Sequence, residues 1–100
     1  VFIFNPGPGA CGFTNTSSQL VASVSAQVFN KFPGATTNPN KNPICRRSAF
    51  ITYDGKNVTA PIVDFFTNPG TYNVGLSLPG FTVFASEDDG IVEKVTWIIV

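Results

Sequence analysis

Phe50-Ile51-Thr52-Tyr53-Asp54-Gly55-Lys56-Asn57-Val58-Thr59-Ala60-Pro61-Ile62-Val63-Asp64-Phe65-Phe66 is the run on which the reading of the fold turns. Phe50–Tyr53 and Asn57–Thr59 are rich in β-branched and aromatic residues and flank Asp54-Gly55. An Asp-Gly pair between such runs is the strongest short-range hairpin signal in a sequence. The second arm then continues through Val58–Phe66, and here it carries an acid. Asp64 is the one acidic residue placed inside an apolar, strand-like run; Asp54, Glu87, Asp88, Asp89 and Glu93 lie in turn-like or polar stretches. An ionised carboxylate in such surroundings is costly unless paired or hydrogen-bonded. Two readings of Asp64 stay open: a carboxylate satisfied by backbone N–H groups of a neighbouring loop, or a contact residue in a shallow groove.

Outward from this run the pattern is mostly β. Val1–Phe4 is a short apolar run stopped by Asn5-Pro6-Gly7-Pro8-Gly9, a turn signal. Asn73–Leu78 reads as a weaker strand, and Ile91–Val100 as the strongest. Gln19–Phe29 reads as a helix capped by Ser17 or Ser18, because Leu20, Val21, Val24 and Val28 recur at helical spacing. Pro79–Ala85 is a shorter helical candidate. Phe32–Pro43, dense in proline, asparagine and threonine, is a loop. The sum is one domain spanning residues 1–100: all-β in class, with one or two short helices and long loops, as in a compact barrel.

Composition narrows the function. The chain has 100 residues, 43% hydrophobic and 12% charged, with zero net charge. Its only basic pair is Arg46-Arg47, so a nucleic-acid partner is not expected. Its apolar runs are too short to span a bilayer. There is no histidine, which removes Ser-His and Cys-His nucleophilic catalysis and histidine-bearing zinc sites. No metal or other cofactor is expected. Cys11 and Cys45 are far from a Cys-x-x-Cys spacing. A structural disulfide, worth roughly 3–4 kcal/mol in the chain-entropy model, fits them best; two separate thiols in a reduced protein are the alternative. Asn15-Thr16-Ser17 and Asn57-Val58-Thr59 are glycosylation triplets, so Asn15 and Asn57 are candidate acceptors and secretion is expected.

Specific residues also carry a family resemblance. Gly9-Ala10-Cys11-Gly12, Leu20-Val21-Ala22-Ser23-Val24-Ser25, Asn38-Pro39-Asn40 with Cys45, and Thr52–Ala60 come first. Ile62-Val63-Asp64, Leu76-Ser77-Leu78-Pro79-Gly80-Phe81 and Gly90–Trp97 follow in order. Together they resemble the secreted double-psi β-barrel proteins: rare-lipoprotein-A-like and barwin-like domains, among them loosenins and the first domain of expansins. The resemblance implies a six-stranded double-psi β-barrel, secretion and a Cys11–Cys45 disulfide. It also implies binding or loosening of cell-wall polysaccharide. Some relatives cleave it, and a few inhibit cysteine proteases. The chain departs from the pattern at three places. Gly75 stands where expansin-type members keep a second aspartate, Phe65–Gly70 lacks the Cys-Pro-x-Cys-like segment, and Phe2 replaces a threonine.

Glycoside hydrolysis usually needs two carboxyl groups flanking the bond; Asp64 supplies one and Gly75 none. Glu87, Asp88 and Asp89 read as a solvated acidic turn. The expectation is therefore a non-enzymatic, expansin- or loosenin-like monomer that binds cell-wall polysaccharide around Asp64, with Phe65, Phe66 and Tyr72 as aromatic contacts. Trp97 is assigned to the core. The alternative is a protein-binding effector or cysteine-protease inhibitor on the same barrel. A carboxylate-based wall hydrolase, like a barwin-type endoglucanase, ranks third.

Overall fold

The computed structural model describes residues 1–67 and 72–100. The Asp54-Gly55 turn forms as read. Both residues take positive φ, 50° and 77°, the left-handed pair that a type I′ turn requires. It joins β3 (Ser48–Tyr53) to β4 (Lys56–Phe66). β4 is long because it serves two neighbours. Its first half pairs antiparallel with β3, while Ile62–Phe66 pairs parallel with β2 (Ala22–Ser25). Pro61 is tolerated inside β4 because it faces Ser48, whose own N–H bonds Val100. The missing donor of Pro61 thus falls on a position that needs no bond to β3.

β2 corrects the sequence reading. Gln19–Phe29 is not one helix: it splits into strand Ala22–Ser25 and helix α1, Ala26–Lys31. Ser25 marks the division, with its hydroxyl accepting from Val28 N–H as the helix N-cap. All four residues of β2 are buried, since β2 lies between β4 and β5 (Val74–Leu76). A strand buried on both faces shows no alternation, so its Val and Ala residues fit a helical stripe equally well.

Two short elements complete the sheet. β1 is Phe2–Ile3, and β6, Thr96–Ile99, is shorter than the ten residues expected. Helix α2 spans Leu78–Phe84. The result is a six-stranded sheet in the order β1-β5-β2-β4-β3-β6 with two short helices. The core gathers Val24, Phe29, Ile44, Ile51, Ile62, Val74, Leu76 and Phe81. The strand ladders leave β1 and β6 as outer strands, so they do not themselves draw the closed barrel that the resemblance implies. Upstream of β6, Ile91 makes one isolated antiparallel bridge to Phe2, and Val92 N–H donates to the Val1 carbonyl at 2.8 Å.

Two buried polar side chains fasten the loops. Asn42 donates to the Phe29 carbonyl at 2.7 Å and accepts from Ile44 N–H at 3.0 Å. The Ser77 hydroxyl accepts from Val21 N–H and donates to the Gln19 carbonyl. The predicted disulfide is present: Cys11 and Cys45 are bonded, with Cα atoms 5.5 Å apart.

Candidate functional site

The register of the sheet brings the two acid positions of the family pattern into one row. Phe2 pairs with Gly75, Gly75 with Ser23, and Ser23 with Asp64, across β1, β5, β2 and β4. Paired residues on neighbouring strands point to the same face. The row therefore reads aromatic, glycine, hydroxyl, carboxylate. Ser23 is fully buried, and its hydroxyl has no hydrogen-bond partner among the described residues. Sequence reasoning missed Ser23, because its stretch read as helix.

Asp64 is half-buried, and Oδ1 accepts from two backbone donors: Phe65 N–H at 2.8 Å and Ala10 N–H at 3.1 Å. The next residue, Cys11, donates its N–H to the Val63 carbonyl. The carboxylate thus pins the Gly9–Cys11 loop against β4, and the disulfide ties that loop to the segment at Cys45. These bonds are those of the first reading left open by the sequence, and they engage Oδ1 of a carboxylate that is still partly exposed. Gly9 lies so close that an added Cβ would come 2.6 Å from the Val63 carbonyl oxygen; a side chain there would push the loop off the strand.

The aromatic candidates separate. Phe65 lies against Phe29, with ring centroids 5.0 Å apart, and packs on the core. Phe66 meets Phe2 edge to face at 4.9 Å. Each of these two rings, read from the sequence as aromatic contacts, is half-buried and packed on another ring. Tyr72, by contrast, is 86% exposed. Its carbonyl accepts from the indole N–H of Trp97 at 2.8 Å. Trp97 is half-buried and packs against the core, as assigned, with part of its surface left open. Together with Val28, Val95, Thr96, Ile98 and Ile99, these two residues line an open hollow of about 500 Å³ between β6 and α1. Thr67 is exposed, and residues 68–70 of the stretch that stands in place of the Cys-Pro-x-Cys-like segment lie outside the described residues.

The two sequons differ as well. Asn57 and Thr59 are exposed on β4. Asn15 is half-buried, donates to Gln19 Oε1 at 3.4 Å and keeps its own oxygen buried. Glu87–Asp89 forms a short exposed 3₁₀ turn closed by a capping box with Ser86. Among the described residues, no three Asp, Glu, His or Cys side chains gather as a metal-ligand set. No described helix is long and apolar enough to cross a membrane.

Fold and site together define a small, disulfide-stapled β-sheet domain whose strand-borne carboxylate holds its own backbone. The curated protein "Papain inhibitor" of Streptomyces mobaraensis is 32% identical to it over 93 residues. That match takes in 91% of this chain and 62% of the relative, so the chain spans somewhat less than two thirds of that protein's length. The solved structure of Streptomyces papain inhibitor superposes with a TM-score of 0.87 at 29% identity, covering 99% of this chain and 88% of that one. No family model matches the chain. The expectation of expansin-like polysaccharide binding is overturned: both relatives are named as inhibitors of papain, and neither is named as a cell-wall protein or an enzyme. The physical reason lies in the row. Where the resemblance implies a polysaccharide groove, Phe2 covers Gly75, Phe66 abuts Phe2, and Asp64 is engaged by backbone.

Proposed function

We propose that this protein inhibits a papain-like cysteine protease by binding it as a folded, disulfide-stapled domain. The observation that carries the reading is the superposition on a papain inhibitor over nearly the whole chain. The fully formed disulfide is in keeping with work in an oxidising, extracellular setting. We further read the sheet as the double-psi barrel. Supporting this, the segment from Ile91 to Ile99 touches β1, at one end of the strand order, and pairs with β3 near the other, so it links the two ends of the sheet. Inhibition here is occlusion, needing no catalytic group of the inhibitor's own. Asp64 serves the fold.

Titration of papain with the purified chain tests this, using hydrolysis of a chromogenic peptide as readout. Inhibition in the nanomolar range, about −12 kcal/mol of binding, is expected. Asp64→Ala is expected to retain inhibition where it is folded. Undiminished papain activity at micromolar protein would sink the proposal.

A further inference from the structure

The outward edge of β6 has a hydrogen-bond pattern that can be read from one residue pair. Ser48 and Val100 exchange both backbone bonds, at 3.3 and 2.9 Å. Bonded and non-bonded pairs alternate along an antiparallel ladder. Phe50–Ile98 and Thr52–Thr96 therefore also bond, while Trp97 and Ile99, opposite Ile51 and Ala49, turn their N–H and C=O groups away from β3. No described backbone group takes these four outward groups.

The hollow beside β6 runs along this edge. Its other walls are Val28 of α1, Val95 and the exposed ring of Tyr72; among the described residues no charged side chain lines it, and Lys31 lines only the adjoining hollow beyond Val28 and Tyr72. Strand edges are ordinarily blunted by lysine, proline, a bulge or an inward charge. Thr96-Trp97-Ile98-Ile99 has no charge and no proline, and Ile98 is 57% exposed. Unpaired main-chain groups beside apolar walls match the two needs of an added strand: a hydrogen-bonding template and pockets for alternate side chains. A charged segment would lie there unpaired.

We propose that this edge is the inhibitory surface: β6 takes an extended, uncharged segment of the protease as an additional strand, with Tyr72 and Trp97 as aromatic anchors. The assignment rests on the inhibitor reading above. Ile98→Lys places a charge at the hollow. Ile99→Pro removes one outward donor while leaving the bonds to β3. Val83→Lys, on the exposed face of α2, is the control. Papain inhibition is expected to weaken at least about tenfold in the first two variants and to hold in the third. Thermal unfolding establishes that each is folded. Independently of any variant, the amides of Trp97 and Ile99 in the unmodified chain are expected to exchange more slowly once papain is bound. If the unmodified chain does not inhibit papain, the inhibitor reading falls and this assignment with it. If it inhibits, but folded Ile98→Lys and Ile99→Pro inhibit equally well, or exchange at Trp97 and Ile99 is unchanged, the edge assignment alone is wrong. Self-association of the chain through β6, abolished by Ile98→Lys without loss of papain inhibition, would likewise assign the edge to a second copy and overturn it.

Discussion

A Cβ built on Gly75 would lie 3.0 Å from Cβ of Phe4 and 3.1 Å from Cζ of Phe2, so the residues at positions 2 and 75 are sterically coupled. The Phe2 ring occupies part of the space that a side chain at 75 would need. Gly75→Ala is expected to destabilise the fold by about 1–3 kcal/mol through overpacking. Phe2→Ala alone should cost about 2 kcal/mol, less than for a sealed phenylalanine because Phe2 is half-buried. In the double variant the loss should fall short of the sum, since the alanine at 75 then meets an emptied neighbour. The contact with Phe4 persists, so the relief is partial. Urea unfolding of the four proteins measures the coupling; strict additivity would show that the ring does not set the residue at 75. The position of Asp64 was legible from the sequence because one acid in an apolar strand stands out. Its donor Ala10 N–H was not, being 54 positions away and a backbone group that carries no residue-type signal.

Among the elements, the β3–β4 hairpin was legible down to its turn, because Asp54-Gly55 chemistry and the flanking strand residues agree. The β2–α1 segment was not. Val21, Val24 and Val28 satisfy helical spacing, and only the position of β2 between β4 and β5 decides for strand. Tertiary burial overrides local preference there. The hinge between the two states is Ser25, extended at φ −64° and ψ 153° with its hydroxyl on Val28 N–H. Ser25→Ala is expected to cost about 1 kcal/mol, and Ser25→Asp to restore most of it. A shift in the denaturant midpoint without change in slope is the measurement. No loss in Ser25→Ala would mean that packing of Phe29 alone sets the start of α1. The outer edge of β6 was legible only in part: the alternating residues were visible, but which strand faces solvent follows from the order of the sheet.

For the whole molecule the disulfide is the single largest covalent constraint. It joins residues 34 apart in a chain of 100, and the loop it closes contains β2 and α1. Replacing Cys11 and Cys45 by alanine is expected to lower stability by about 3–4 kcal/mol, read as a fall in the urea midpoint. A loss below about 1 kcal/mol would place the loop's stability in the Asp64 and Asn42 contacts instead. The same bond has a mechanical meaning. A 100-residue chain drawn straight by its ends would reach roughly 330–360 Å. With Cys11 locked to Cys45, the intervening loop carries no tension, and the taut length is shorter by roughly 110–120 Å. Pulling on this protein would strip away its outer strands while β2 and α1 stayed inside a ring that force does not enter.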